Sequence, residues 1–166
     1  IQSSIVNNKK IKHIIVPHNI NQKTMQSLKK YHLDTAIFYS KAQKKELQNS
    51  NILVIDVVGI LKQLYKYTTI AYVGGGFDKG VHNTLEPAIH GNQLLFGPNH
   101  NKFPETHFFI QNQIASVINN KVDFEKKICL RLKENTQNKT QIISKTLNYM
   151  NQNKQDVNQV IKIIMR

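Results

Sequence analysis

An apolar run, Ile70-Ala71-Tyr72-Val73, empties into three glycines, Gly74, Gly75 and Gly76, and a fourth follows at Gly80. His82-Asn83 then opens a helix-like segment that carries Glu86-Pro87. Strand, glycine turn and helix start is the order in which α/β folds present backbone N–H groups to a phosphate. Glycine lacks Cβ, so it takes positive φ and lets a ligand approach the main chain. The stretch predicts a site for an anionic, nucleotide-like ligand. Neither G-x-G-x-x-G nor the Walker pattern is met, because no G-K-[ST] follows the loop. On the glycines alone, a tight strand-to-helix turn without a ligand is an equal reading.

The elements that must position these residues follow from periodicity. Short β-type runs at His13–Val16, Thr35–Phe38, Ile52–Ile55, Ile70–Val73, Gln93–Phe96 and Ala115–Ile118 alternate with helix-type runs. That alternation predicts an α/β fold, a Rossmann-like parallel sheet of about six strands flanked by helices. Met25, Leu28 and Tyr31 are three apart within Lys23–Tyr31, and Ile60, Leu61, Leu64 and Tyr67 share one helical face. Asn83 stands where an N-cap would, with Glu86 three residues on, the spacing of a capping box. Pro104 suits a first helical turn. After Asn119 come two polar helix candidates, about Phe124–Leu132 and Ile142–Tyr149, and an apolar run, Val160–Met165. We therefore divide the chain into a core, 1–118, and a helical C-terminal segment, 119–166. That segment packs on the same domain or on another part of a longer protein.

The glycine segment resembles the C-terminal half of 3-deoxy-D-manno-octulosonic acid (Kdo) transferase, a GT-B glycosyltransferase of lipopolysaccharide synthesis. The resemblance rests on Gly74-Gly75-Gly76-Phe77-Asp78-Lys79-Gly80-Val81-His82-Asn83-Thr84-Leu85-Glu86-Pro87-Ala88, then Gly91 and Phe96-Gly97-Pro98-Asn99. Upstream, Val16-Pro17-His18 and Gly59-Ile60-Leu61 with Leu64-Tyr65 are similar to two further family blocks, in family order, over roughly Lys12 to Ile118. The chain departs from the pattern at Asn19 and Ile60, where the family often carries Glu, and at Gln93, where it usually has Pro.

The resemblance implies CMP-Kdo as donor substrate, with no cofactor. It implies a nucleotide-binding set of Pro17, His18, Gly59, Ile60, Leu61, Asn83, Thr84, Leu85 and Glu86, in which Glu86 accepts from the ribose hydroxyls. Gly74, Gly75 and Gly76 would make room for the sugar-phosphate. Lys79 is either a contact to the leaving phosphate or a solvated loop lysine. His82 is expected to orient the loop, and His90, His100 and His107 receive no role. The reaction implied is inverting transfer of Kdo to a lipid A precursor. Its catalytic base and acceptor site are expected in an N-terminal half, since neither is found here. The chain begins at Ile1 without Met, which with the resemblance predicts a fragment of a longer protein.

Composition sets the outer bounds. A chain of 166 residues can bury a core. One cysteine, Cys129, excludes an internal disulfide and a four-thiolate zinc site. No H-E-x-x-H, Cys/His spacing or Asp-x-Asp pair is present, so no metal is expected. No apolar run approaches the ~20 residues of a membrane span, so the chain is expected to be soluble. The resemblance implies work at the cytoplasmic face of the bacterial inner membrane, peripheral or anchored through the N-terminal part.

The net charge of +13 belongs to the flanks. Residues 1–50 hold nine lysines against Asp34 and Glu46, and residues 119–166 hold ten basic against four acidic side chains. Residues 51–118 carry four of each sign. The flanks read as a surface for anionic lipid, a nucleic-acid patch or plain solvated helix faces. Neutrality around the glycine loop argues against nucleic acid as partner. Two alternatives stand behind the Kdo transferase reading: another GT-B transferase or sugar-nucleotide epimerase using a UDP-sugar, and, more remotely, a basic nucleic-acid-binding module.

Overall fold

The computed structural model describes residues 11–30, 36–133 and 139–154. Six parallel strands and seven α-helices are found among them. The strands are β1 (His13–Ile15), β2 (Ile37–Phe38), β3 (Ile52–Val54), β4 (Ile70–Val73), β5 (Gln93–Phe96) and β6 (Ala115–Val117). The helices are α1 (Gln22–Lys30), α2 (Lys44–Asn49), α3 (Leu61–Leu64), α4 (Leu85–Ile89), α5 (Pro104–Gln111), α6 (Lys121–Lys133) and α7 (Lys139–Gln152). The expected α/β fold is observed, with the six strands shared between two three-stranded sheets, β1-β3-β2 and β4-β5-β6. The chain divides into two compact units, Ile1–Leu64 and Tyr65–Arg166. The apolar run Val160–Met165 lies outside the described residues.

In the first unit β3 is central, pairing Ile15 with Val54 on one side and Phe38 with Val54 on the other. Ile52, Val54 and Ile55 are buried, while the flanking strands are only half-buried. Lys12 Nζ donates to the carbonyls of Gln48 (3.2 Å) and Ser50 (2.7 Å), holding the end of α2 beside β1.

In the second unit β5 is central, with Leu94 opposite Ala71 and Ala115. Leu94, Leu95 and Phe96 are all fully buried, the continuous apolar run of a parallel strand covered on both faces. Val73, Val81, Ala88, Phe109, Ile114 and Ile142 complete this core, and α7 packs on α4.

The helical run expected over Ile60–Tyr67 ends early. α3 stops at Leu64 and a 3-10 turn covers Tyr65–Tyr67. The Tyr65 carbonyl accepts the Thr68 hydroxyl (3.1 Å) and the Asn92 side-chain amide (2.8 Å), which draws it out of the helical ladder. Asn92 is fully buried and fully used: its carbonyl oxygen also accepts from Thr68 (2.5 Å), and its amide also reaches the Pro87 carbonyl (3.1 Å).

Candidate functional site

Parallel strands bring their carboxyl ends to one edge, where open α/β sheets hold ligands. In the second unit that edge carries the glycine loop after β4, the Gly97–His100 loop after β5, and Asn119-Asn120 after β6. The glycine loop is closed on itself. His82 N–H donates to the Gly74 carbonyl (2.9 Å), while Asp78 and Gly80 N–H donate to that of Gly75 (3.0 and 3.2 Å). Asn99 fastens it to the neighbouring loop: its N–H reaches the Gly76 carbonyl (2.8 Å), its amide that of Asp78 (2.9 Å), and its carbonyl accepts from Val81 (3.0 Å).

The three glycines have different reasons for being glycine. At Gly75, φ is +87° and a Cβ would lie 2.2 Å from the Gly80 carbonyl oxygen. At Gly76 a Cβ would lie 2.6 Å from the backbone nitrogen of Gly97, so two main chains meet there. At Gly74 a Cβ would meet only the His82 ring, at 3.6 Å. Contacts within the protein thus account for Gly75 and Gly76. Lys79 is exposed in this loop.

Asn83 caps α4 as its position suggests. Its side-chain oxygen accepts the N–H groups of Leu85 (3.0 Å) and Glu86 (3.2 Å). The return half of the capping box is not formed among the described residues, so capping does not occupy the Glu86 carboxylate. Glu86 is half-buried, and its charge acts on Tyr65, whose hydroxyl is pushed up by burial first and by Glu86 second. Tyr65 stacks on His90 with ring centroids 6.4 Å apart. Thr84 is fully buried, and its hydroxyl donates to Glu105 (3.3 Å). Behind the loops, buried His100 bonds Thr106 through Nδ1 (3.0 Å) and packs against Phe96 and His107. Burial holds its pKa down, and the His107 charge adds to this.

In the first unit, Pro17-His18 follows β1 and Gly59-Ile60-Leu61 follows β3, and the register of these neighbours places both blocks at one carboxyl edge. His18 is exposed, and the Ile60 carbonyl accepts from Gln63 (3.0 Å) and Leu64 (3.3 Å) to start α3. Gly59 has φ +95° with open space around it, so its need for glycine is conformational. Sequence reasoning passed over a third group on this edge. Asp56 accepts the Ser40 N–H (2.8 Å) and hydroxyl (2.5 Å), joining the ends of β2 and β3. Burial pushes the Asp56 carboxyl up, but the Ser40 bonds and the Lys41 charge outweigh it and hold the carboxyl below its usual range. No local periodicity signals this pair, since its members are sixteen residues apart.

Among the described residues no group of three or more His, Cys, Asp or Glu is placed to hold a metal, and no helix is long and apolar enough to cross a membrane. No family model matches the chain. Over 99 residues, 57% of its length, it is 34% identical to the 3-deoxy-D-manno-octulosonic acid transferase of Chlamydia muridarum. Over 106 residues, 63% of its length, it is 32% identical to the enzyme of the same name from Aquifex aeolicus. Both of these similar proteins are Kdo transferases. The aligned stretches take in 21% and 29% of those two Kdo transferases, so the chain spans well under two thirds of their length. Among solved structures, the C-terminal CMP-Kdo binding domain of WaaA from Acinetobacter baumannii superposes with a TM-score of 0.55. That match covers 87% of this chain and 91% of the domain at 15% identity, a likeness of fold.

Proposed function

We propose that this chain is the donor-binding half of an inverting glycosyltransferase that moves Kdo from CMP-Kdo to a lipid A precursor. The observation that carries the reading is the second unit's Asn83–Glu86 block. Asn83 spends its side chain on starting α4, and the Glu86 carboxylate stays available at the carboxyl edge beside Tyr65. A carboxylate held there suits the paired hydroxyls of the CMP ribose. We assign Asn83 and Leu85 to positioning and Glu86 to the ribose; Thr84, buried against Glu105, anchors the block from inside. Lys79 and the Gly74 end of the loop are assigned to the sugar-phosphate. In the first unit, Pro17, His18, Gly59, Ile60 and Leu61 are the donor contacts that unit would offer.

Displacement at the anomeric carbon of Kdo releases CMP, whose phosphate takes the departing electron pair. The loop's cation and N–H groups stabilise that charge. The base that deprotonates the acceptor hydroxyl, and the acceptor site, are supplied from outside this chain, without a metal or cofactor. The lipid acceptor places the reaction at the cytoplasmic face of the inner membrane. There the exposed Lys23, Lys41, Lys44 and Lys45 would face anionic headgroups.

Calorimetric titration with CMP, UMP and AMP tests the reading. CMP binds preferentially, and Glu86→Ala weakens it about tenfold, the loss of a charged hydrogen-bond partner. Equal or tighter binding of UMP would replace CMP by a UDP-sugar donor. Unchanged CMP affinity in Glu86→Ala would remove the ribose assignment.

A further inference from the structure

At the opposite edge of the second unit's sheet, the amino ends of β5 and β6 open into a cleft of about 360 Å³, within the size range of small-ligand sites. Its polar lining comes from four places in the chain: Gln93 at the start of β5, Asn112 and Gln113 after α5, Arg131 on α6, and Gln141 and Lys145 on α7. No carboxylate is found among the described residues that line it. Two cations and a ring of amides suit an anion that also carries hydroxyl groups.

Gln113 supplies a second, independent observation. It is the one non-glycine residue with positive φ (+61°) among the described residues. It ends α5 in a Schellman turn, with Gln113 N–H on the Ile110 carbonyl (3.0 Å) and Ile114 N–H on that of Phe109 (2.8 Å). Glycine is the usual residue at this position, and a long side chain there carries a conformational cost. The chain has glutamine where glycine is the usual residue, and that glutamine lines the cleft. A backbone conformation that disfavours a long side chain, at a residue lining a cleft, points to a use for that side chain. Arg131 is held in place by its bond to Ser116 (2.8 Å), and Asn112 by its amide bond to the Phe108 carbonyl (3.0 Å). The lining is thus partly fixed before any ligand arrives.

We propose that this cleft is a second binding site, away from the donor edge, for a small phosphate monoester with a hydroxylated body. Arg131 and Lys145 hold the phosphate, and the side chains of Gln113, Gln93 and Gln141 take the hydroxyl groups. Such a ligand is either a free sugar phosphate or the phosphorylated headgroup of a lipid.

The test is an NMR titration of the 166-residue chain with ribose 5-phosphate, and with ribose as the neutral control, at constant ionic strength. Ribose 5-phosphate shifts the side-chain signals of Gln93, Gln113 and Gln141 with a saturable, millimolar or tighter isotherm, and ribose does not. Lys145→Gln weakens binding at least fivefold, while Lys62→Gln, an equal change of charge in the first unit, leaves it unchanged. Gln113→Gly separates function from folding: it raises the melting temperature and weakens binding. Displacement of ribose 5-phosphate by vesicles containing phosphatidic acid assigns the site to a lipid headgroup; retention assigns it to a soluble ligand. Equal losses in Lys145→Gln and Lys62→Gln, or full affinity in Gln113→Gly, would overturn the proposal.

Discussion

The two units follow the same plan, three parallel strands with the most buried strand in the middle, yet they cover it differently. In the second unit α4, α5 and α7 bury Pro87, Ala88, Thr106, Phe109, Ile142 and Thr146 against or beside the sheet. In the first unit α2, Lys-Lys-Glu-Leu-Gln-Asn, buries nothing, and the outer strands are half-exposed. A helix supports a sheet only through the apolar face it brings, and polar helices bring little. The candidate blocks of the two units therefore rest on different foundations. Asn83–Glu86 stands on a packed core, whereas Pro17-His18 and Gly59–Leu61 stand on a thin sheet braced by the Ser40–Asp56 and Lys12 contacts.

The sharpest way to break this comparison is truncation of a central-strand residue in the second unit and of an outer-strand residue in the first. Phe96→Ala empties the centre of the second core and should cost about 3–5 kcal/mol. Ile14→Ala, at a half-buried site in the first unit, should cost about 1–2 kcal/mol by the smaller area it uncovers. Hydrogen exchange read by mass spectrometry reports each unit separately; equal losses would erase the distinction. Glycine substitutions act on a smaller scale. Gly76→Ala forces two backbones apart and should cost about 1–3 kcal/mol, Gly59→Ala about 1 kcal/mol from its positive φ alone, and Gly74→Ala close to nothing. Denaturant midpoints of the three variants check that order.

Acid gives the smallest and most selective effect. His100 has its pKa lowered from 6.5 in the folded second unit, so the unfolded chain takes up its proton first. The stabilising contribution is complete above about pH 6.5 and is lost as pH falls below it. Asp56 is lowered from 3.8, so the first unit keeps its contribution down to about that value and loses it as pH falls further, through the folded pKa. Acidification from pH 7.5 to 5 should therefore loosen the second unit before the first, and His100→Gln should flatten that response. A first unit that loosens above pH 5 would contradict the assignment.

Much of this fold was legible because its signals are local. β4 and β5 run from Ile70 to Val73 and from Gln93 to Phe96 as periodicity alone indicates, and β1, β3 and β6 stop one residue short of the expected runs. Asn83 caps α4 and Pro104 opens α5 for reasons contained in a few neighbouring residues. What periodicity missed joins distant segments. The Asn92 amide that stops the helix after Leu64, the Asp56–Ser40 clamp and the Asn99 fastening are polar contacts 16 to 27 residues apart. α6 begins at Lys121, ahead of the expected run from about Phe124, because the signal for its start is polar: Asn120 accepts the Asp123 N–H (2.9 Å), and the carboxylate of Asp123 bonds Lys127 (2.8 Å).

The contact between Gly76 and Gly97 limits how far the proposed donor edge can open. With Asn99 bonded to Gly76, Asp78 and Val81, the glycine loop cannot lift without dragging the end of β5, the most deeply packed strand of its unit. Wholesale opening would require local unfolding, on the microsecond-to-second scale. The exposed side chains of Phe77 and Lys79 need only change rotamer, within nanoseconds. On the donor-site proposal, traffic at this edge would be governed by two swinging side chains over a fixed main chain, and the residence time of a bound anion would depend on their identity more than on any hinge.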